Sequence, residues 1–181
     1  MSSTRAPRGI EHIGITVPDI EQATKFFQAA LNAELIYDMF DLSAFPDING
    51  DPTENIDLAP ILGVKPGSRM KAFRMFRLGN GANLEVFEFS SSSQQPTAAP
   101  EDLGYQHVGI LVDDIESAAN KIVDAGGTKL AGPIPAMLHE AGEGNFFWYL
   151  RAPWGLTIEL LTTPSAQSYE QRTLLRRWRP S

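Results

Sequence analysis

The chain has 181 residues, and its 43% hydrophobic content suits one globular domain or two small half-domains that share a core. Fifteen basic against 22 acidic residues give a net charge of −7, which argues against a general nucleic-acid-binding protein, because such a protein needs a basic surface. The chain has no cysteine, which excludes a disulfide framework, a thiolate metal site and a cysteine nucleophile.

The start of the chain gives no sign of export. Its first nine residues, MSSTRAPRG, lack the apolar centre of a secretory signal. No apolar run approaches the roughly 20 residues that span a bilayer. The absence of cysteine is compatible with a reducing compartment. We therefore expect a cytoplasmic protein that does not bind membranes.

The first elements are a strand and an amphipathic helix. Residues 1–9 are polar and predict an N-terminal arm. Apolar and other residues alternate from Ile10 to Val17, which predicts a strand with His12 on the face opposite its apolar side chains. Asp19 is a good N-cap for a helix whose apolar residues recur at helical spacing to about Leu31.

A long insertion follows the next predicted strand, Glu34 to Phe40. Residues 41–68 contain four prolines and three glycines, which predict a long loop with short helical turns. Such loops are often lids or partner surfaces, and the apolar side chains of this one could fold over a site. A loop that is packed only for stability or dimerisation is the alternative interpretation.

The first half ends in a hairpin. Strands from Met70 to Leu78 and from Ala82 to Phe89 are predicted around a Gly-Asn-Gly turn. In the second strand Glu85 shares a face with Phe87 and Phe89. The polar stretch 90–101 predicts a flexible linker to the second half.

The second half repeats this plan. Its helix is capped by Asp113 or Asp114 and ends at Gly126-Gly127. Its C-terminal arm places arginines among leucines and a tryptophan, which indicates docking on the fold or on a second subunit. The predicted strands are Gln106–Val112, which carries His107, Thr128–Ala131, Phe146–Leu150 and Leu156–Leu161, with a loop at 132–144.

Two matching pairs of segments establish an internal repeat. EHIGITVPDIEQA and QHVGILVDDIESA place His107 95 positions after His12, with eight identities in the twelve positions 12–23. FRMFRLGNGANLEVFEF and FWYLRAPWGLTIELLTT place Glu159 74 positions after Glu85. Each half therefore opens with a histidine and closes with a glutamate on a strand, which gives four candidate metal ligands in two symmetric pairs.

These four residues suit a divalent metal. A lone strand histidine is more often a satisfied core residue than a ligand, but two histidines at matching repeat positions, each with a matching glutamate, favour metal binding. Imidazole and carboxylate donors suit Ni, Co, Zn, Mn or Fe(II). His139 has no repeat partner and is interpreted as a surface residue, with a supporting or acid–base role at the site as the alternative. Arg77 and Arg151 repeat before the hairpin turns, where a structural role is expected.

The motifs EHIGITVPDIEQA, NLEVFEF, QHVGILVDDIESA and RAPWGLTIELL resemble those of the vicinal oxygen chelate superfamily. This superfamily includes glyoxalase I, methylmalonyl-CoA epimerase, extradiol dioxygenases and the fosfomycin and bleomycin resistance proteins. The resemblance implies an α+β fold of paired βαβββ modules whose mixed sheet forms a cup around one divalent metal ion. The modules would be 10–89, with the insertion 41–68, and 102–163, joined by the linker 90–101 and followed by a C-terminal arm, 164–181.

The set His12, Glu85, His107 and Glu159 is similar to the ligand set of glyoxalase I in particular. There a ligand carboxylate doubles as a base, which implies that Glu85 or Glu159 moves the proton. The expected activity is a metal-dependent lyase or isomerase reaction through an enediolate, on a small substrate with adjacent oxygens. We also expect a homodimer, and the sequence leaves open whether the site forms within one chain or across two.

Two departures limit the resemblance. The closing turn, 152–156, differs from the usual DPDGN, and only Arg5 and Arg8 could supply a basic cluster for glutathione. Two other functions therefore stay open. An Fe(II) extradiol dioxygenase acting on a catechol would use two histidines and one glutamate, which leaves Glu85 as an extra ligand. A small-molecule binding protein of the resistance type would keep the fold without turnover.

Overall fold

The computed structural model describes residues 9–45 and 47–180, so that Arg5, Arg8 and nearly all of the predicted arm 1–9 lie outside the described residues. The helices are α1 (Ile20–Leu31), α2 (Ala59–Leu62) and α3 (Ile115–Asp124). The strands are β1 (His12–Val17), β2 (Glu34–Asp38), β3 (Arg69–Arg77), β4 (Asn83–Ser90), β5 (Val108–Leu111), β6 (Thr128–Lys129), β7 (Ile134–Pro135), β8 (Phe146–Arg151) and β9 (Thr157–Thr162).

The described chain forms two compact units. The first contains residues 9–20 and 34–90, and the second contains residues 21–33 and 91–180. Each unit has its own mixed sheet, and the fold class is therefore α+β, as predicted. None of the helices in the described part of the chain has both the length and the apolar character of a transmembrane segment.

The sheet of the first unit has the order β1-β4-β3-β2. β1 runs parallel to β4, and the other neighbours are antiparallel. The alternation predicted for β1 is confirmed, because Ile15 and Val17 are buried whereas His12 is exposed. In β4 the buried residues Leu84 and Val86 alternate with the half-buried Glu85 and Phe87, which places Glu85 on the open face of the sheet.

The insertion contains only short pieces of regular structure, as its prolines and glycines predict. A 3-10 turn at Leu42–Ala44 begins at Asp41, whose carboxylate accepts a hydrogen bond from the Ser43 amide at 3.0 Å. α2 is a single turn that ends at Gly63 in the left-handed conformation, with φ of 70°. Several apolar side chains of the insertion are exposed: Phe45, Ile48, Ile56, Ile61 and Leu62.

The sheet of the second unit has the order β5-β9-β8-β6, with β7 also paired to β8. β5 runs parallel to β9, which repeats the arrangement of the first unit. Strand β7 was not predicted, since its two residues lie in the expected loop 132–144 and pair with Phe146 and Phe147 at the start of β8. The predicted strand Thr128–Ala131 stops at Lys129, and thus two short segments share one edge of β8.

The helices of the second unit bury their apolar faces. Asp114 caps α3 by accepting a hydrogen bond from the Ser117 amide at 3.0 Å, which confirms one of the two predicted caps. The rings of Phe26 and Phe27 in α1 meet the Trp154 ring edge-on, with centroids 5.3 and 5.5 Å away. The core of this unit lies among α1, α3, β8 and β9: Ala23, Phe26, Phe27, Ala119, Ile122, Leu150, Ile158 and Leu160.

The C-terminal arm docks on its own unit through arginines. Arg177 forms an ion pair with Glu140, and the Arg179 guanidinium donates to the Thr163 carbonyl at 3.3 Å. The apolar side chains of the arm remain exposed: Leu174, Leu175 and Trp178. The predicted docking on the fold therefore holds for the charged side chains of the arm and not for its apolar ones.

Candidate metal centre

The first predicted pair of ligands meets across β1 and β4. The parallel register aligns Gly14 with Glu85 and places His12 two residues earlier. The Nε2 atom of His12 lies 3.4 Å from the Oε2 atom of Glu85. A Cβ atom at Gly14 would lie 3.8 Å from that oxygen, and the glycine therefore leaves the carboxylate uncovered on this side.

The second pair repeats this geometry. Gly109 is aligned with Glu159 in the same parallel register, and the Nε2 atom of His107 lies 3.1 Å from the Oε2 atom of Glu159. His107 directly precedes β5, whereas the sequence predicted it inside the strand. The second pair is the less accessible one, because 25% of the His107 side chain is exposed compared with 43% for His12.

Each pair lies within one unit of the structure. Across the described residues, no group of three or more His, Cys, Asp or Glu side chains is gathered closely enough to hold a metal ion. The structure thus brings His12 to Glu85 and His107 to Glu159, which are two pairs of nitrogen and oxygen donors.

The second ring nitrogen of each histidine is occupied by the residue before it. The Nδ1 atom of His12 lies 2.5 Å from the Oε2 atom of Glu11, and that of His107 lies 2.8 Å from the Oε1 atom of Gln106. This hydrogen bond to Glu11 is the main cause that raises the pKa of His12, and the negative charge of Glu85 adds to it. With Nδ1 engaged, Nε2 is the nitrogen that can ligate a metal.

Glu11 is itself held by a neighbouring strand. Its Oε1 atom accepts a hydrogen bond from the Asn83 side chain at 2.7 Å. The hydrogen bond to His12, followed by this one, lowers the pKa of Glu11 and favours its charged form. A carboxylate therefore supports the first histidine, whereas an amide supports the second.

Tyr149 is a further residue at the second pair. It lies directly opposite Glu159 in the antiparallel β8–β9 register, and its ring meets the His107 ring edge-on at 5.2 Å between centroids. Burial raises the pKa of Tyr149, and the negative charge of Glu159 raises it further. The phenol is thus neutral at neutral pH and presents an O–H group beside the carboxylate. The matching residue beside Glu85 is Met75, which has no polar hydrogen.

A row of aromatic rings flanks the first pair. Phe87 stacks on Phe73 with centroids 4.8 Å apart and on Phe89 with centroids 5.6 Å apart. Tyr37 meets Phe73 edge-on at 6.0 Å. The Phe87 ring is also the second neighbour of a Cβ atom placed at Gly14, at 3.9 Å. The carboxylate of Glu85 therefore stands beside an apolar aromatic surface.

The other residues singled out in the sequence lie apart from the pairs. His139 is exposed in a 3-10 turn, Leu138–Glu140. The Arg77 guanidinium donates to Glu34 at 2.6 Å across β2 and β3, which fits the structural role expected for it. Arg151 is the last residue of β8 and pairs with Thr128.

Sequence reasoning missed Glu11, Gln106 and Tyr149. Glu11 and Gln106 occupy matching positions of the repeat, directly before the two histidines, but differ in type and so were not part of the identity pattern. The pairing of Tyr149 with Glu159 could have been predicted from the hairpin, because the two residues lie equally far from Trp154 on either side of the turn.

The donor set fits a divalent metal. Zinc and first-row transition metals in proteins take imidazole nitrogens and carboxylate oxygens as ligands, and the two pairs supply two imidazoles and two carboxylates. Each histidine is oriented through its second ring nitrogen, as metal-ligating histidines are. Each Nε2 atom already faces a carboxylate oxygen of its own pair. By the chemistry of their donor atoms, the residues of the two pairs could hold the metal that the sequence predicts.

Comparison with known proteins gives a family and a relative. A sequence model described as Glyoxalase/Bleomycin resistance protein/Dioxygenase superfamily matches residues 9–160. A curated protein from Actinomyces sp., a 2-epi-5-epi-valiolone epimerase, is 30% identical over 173 residues, which cover 94% of this chain and 88% of the relative.

Solved structures share the fold. A glyoxalase family protein from Bacillus cereus superimposes with a TM-score of 0.66 at 16% identity, over 90% of this chain and 98% of that one. A variant of the fosfomycin resistance protein FosX from Listeria monocytogenes, in complex with Mn(II) and 1S,2S-dihydroxypropylphosphonic acid, gives a TM-score of 0.57 at 17% identity, over 93% and 100% of the two chains. At these identities the likeness establishes the architecture alone.

Proposed function

The chain belongs to the Glyoxalase/Bleomycin resistance protein/Dioxygenase superfamily, and we propose that it is a divalent-metal-dependent isomerase of the epimerase type. The proposed substrate is a small ketone that carries a hydroxyl group next to its carbonyl. The reaction inverts the configuration at the carbon beside that carbonyl.

One observation carries this proposal: both units hold a histidine Nε2 atom against a glutamate carboxylate, at 3.4 and 3.1 Å, in the same strand register. A repeat that served packing alone would not need to keep two polar pairs on the open faces of its sheets. The epimerase relative supports the type of reaction, since it covers nearly the whole chain.

The four residues would bind one metal ion per chain: His12, Glu85, His107 and Glu159. The metal would act as a Lewis acid that polarises the substrate carbonyl and makes the neighbouring C–H group more acidic. The chain's own carboxylates would then transfer the proton. A lyase of the glyoxalase I type would use the same ligands, and the relative's activity favours the isomerase.

Inversion at carbon needs proton transfer on both faces of the substrate, and two carboxylates meet that need. Glu85 stands beside Met75 and the aromatic row, whose side chains next to it donate no hydrogen bond to its carboxylate. Glu159 stands beside the Tyr149 phenol, which can hold its carboxylate in place. We assign removal of the proton to Glu85, as a carboxylate, and delivery of a solvent-derived proton to the opposite face to Glu159, as a carboxylic acid.

The proposed partners are a small molecule and a second copy of the chain. The exposed side chains of Leu174, Leu175 and Trp178 support a homodimer, because apolar groups of this size gain from burial. Light scattering of the purified protein would then give about twice the chain mass of 19.9 kDa. The mass of a single chain would contradict this assignment.

The activity is tested by isotope exchange. The protein is loaded separately with Co(II), Ni(II), Zn(II), Mn(II) and, without oxygen, Fe(II), and is incubated with 2-epi-5-epi-valiolone in deuterated water. We expect one deuterium to enter at the carbon beside the carbonyl, together with an inverted product, under anaerobic conditions. Glu85→Gln and Glu159→Gln should each lower the rate of inversion at least a hundredfold, whereas His139→Ala, outside both pairs, should not.

The alternative functions predict other results. A dioxygenase would consume oxygen and cleave a catechol with Fe(II), and a binding protein would retain its ligand without exchange. Deuterium exchange that persists in both glutamine variants would contradict the assignment of the two carboxylates. No exchange with any metal, on this ketone or on other small hydroxyketones, would contradict the proposed reaction.

A further inference from the structure

Both candidate ligand histidines are held at Nδ1 by the side chain of the preceding residue. The contact is 2.5 Å from His12 to Glu11 and 2.8 Å from His107 to Gln106. Glu11 and Gln106 are themselves 95 positions apart, as the histidines are, and so they occupy the same place in the two units. In both units a carboxylate or amide oxygen accepts from the Nδ1–H group, and Nε2 is the ring nitrogen that lies against the glutamate.

Each supporting side chain is fixed at its far end within its own unit. The second carboxylate oxygen of Glu11 accepts from the Asn83 amide at 2.7 Å, and the Asn83 backbone N–H donates to the Glu11 carbonyl at 2.9 Å. The Gln106 amide donates to the Pro100 carbonyl at 3.0 Å. The two rings are therefore oriented by short chains of hydrogen bonds that begin on the backbone or on a strand residue.

The two supports differ in charge. A carboxylate that accepts from Nδ1–H strengthens the other ring nitrogen as a donor more than a neutral amide does, because the hydrogen bond is charge-assisted. The Glu11 side chain is 71% exposed, and an exposed pair of this kind contributes little to folding stability. An effect of Glu11 on metal affinity can therefore be separated from an effect on folding.

We propose that Glu11 and Gln106 are positioning residues that fix the tautomer and the ring direction of His12 and His107 for metal binding, and that Glu11 makes His12 the stronger ligand of the two. This inference rests on the proposed function, because it concerns the same metal. It adds an asymmetry between two halves that the repeat otherwise makes alike.

The test is the metal affinity of purified variants, measured by competition with a chromophoric chelator for Zn(II) and Co(II). Glu11→Ala should weaken binding by about 10- to 100-fold, and Gln106→Ala should weaken it less. Glu11→Gln keeps an acceptor for Nδ1–H and should recover part of the loss, whereas Gln106→Glu should bind more tightly than the unmodified chain. The visible spectrum of bound Co(II), which reports ligand geometry, should change in Glu11→Ala.

Glu54→Ala is the matched control, because it removes one exposed carboxylate from the same unit and Glu54 belongs to neither pair. Thermal melts without metal show that each variant is folded. If Glu11→Ala binds metal as Glu54→Ala does, with an unchanged Co(II) spectrum, the positioning role is wrong and the proposed metal site stands. If the unmodified chain takes up neither metal, the proposed function and this inference both fail.

Discussion

At the scale of single residues, Tyr149 distinguishes one half of the repeat from the other. Its phenol faces Glu159, where the first unit has Met75 facing Glu85. Because burial and the charge of Glu159 raise its pKa, the phenol stays protonated and can donate to the carboxylate. A carboxylate held in this way keeps one direction, which a group that returns a proton to a defined face requires.

We expect Tyr149→Phe to lower kcat about tenfold, the value of one hydrogen bond to a charged group, while the metal content stays unchanged. The variant keeps the ring that packs against His107, so that only the O–H group is lost. Steady-state kinetics and elemental analysis measure the two quantities. Met75→Leu, at the matching position, is the control and should retain kcat. A Tyr149→Phe enzyme with full activity would remove the phenol from the proposed mechanism.

The four candidate ligands could be predicted because a repeat amplifies a weak signal. One strand histidine says little, but His12 and His107 stand at one offset, and their glutamates stand at another. The supporting residues could not be predicted, because their role depends on which way a side chain turns. Gln106, for example, is an ordinary polar residue until its contact with the ring of His107 is seen.

At the scale of elements, Glu88 connects β4 with β3 and with Ile20, all within the first unit. It is a buried residue of β4, and its Oε2 atom accepts from the backbone N–H of Ile20, the first residue of α1, at 2.9 Å. Its Oε1 atom forms an ion pair with Lys71 of β3. The hydrogen bond to Glu88, and then its negative charge, raise the pKa of Lys71 from its ordinary value of 10.5.

This pKa shift predicts a pH dependence at the alkaline end. A raised pKa in the folded state means that the folded chain holds the Lys71 proton more tightly than the unfolded chain does. The stabilisation is therefore complete below pH 10.5 and is lost as the pH rises through the raised pKa. We expect the difference in free energy of unfolding between the unmodified chain and Lys71→Met to be constant from neutral pH to pH 10.5 and to shrink above it.

Urea denaturation at a series of pH values measures this difference. Lys25→Met, which removes an exposed lysine from α1, is the control for general loss of charge and should show no such change. A difference for Lys71→Met that stays constant above pH 10.5 would mean that the ion pair with Glu88 does not stabilise the folded state.

Gly132 allows the edge of β8 to be shared between β6 and β7. Its φ is 153°, and a Cβ atom there would lie 2.5 Å from Cδ1 of Trp148, whose indole N–H donates to the Leu130 carbonyl at 2.8 Å. A side chain at position 132 would therefore displace a buried tryptophan. We expect Gly132→Ala to lower the free energy of unfolding by about 1–3 kcal/mol more than Gly67→Ala.

Gly67 is a suitable reference, because it also has a positive φ, 82°, but no atom within 4 Å of an added Cβ. Both variants place a side chain at a positive φ, and only Gly132→Ala adds the contact with Trp148. Equal losses in the two variants, measured by chemical denaturation, would show that the tryptophan moves aside freely.

The order of the elements could be predicted from periodicity, whereas several boundaries could not. α1 and α3 were recognised because caps and apolar spacing agree for both. β7 was missed because two residues carry no alternation, and its pairing partner in β8 is known only in three dimensions. β5, the strand before α3, begins after His107 because the pairing of β5 with β9 begins at Val108.

At the scale of the whole molecule, the two histidine–glutamate pairs of the proposed ligand set lie one in each unit. Each supplies one histidine and one glutamate, so that the loss of either histidine removes a quarter of the ligands. Binding to the folded chain alone stabilises it by about 2.7 kcal/mol at a free metal concentration of about 100 times Kd. For a chain of this length that corresponds to a rise in Tm of about 5–10 °C.

We therefore expect Zn(II) or Co(II) to raise the Tm of the unmodified chain by this amount, and removal of the metal by a chelator to reverse the rise. His12→Ala in the first unit and His107→Ala in the second should each lose most of it, and His139→Ala should retain it, because His139 is exposed and belongs to neither pair. Scanning calorimetry measures the shift. If one of the two histidine variants keeps the full rise in Tm, the ion is bound by the other pair alone. The repeat then preserves a geometry that only one half of the molecule uses.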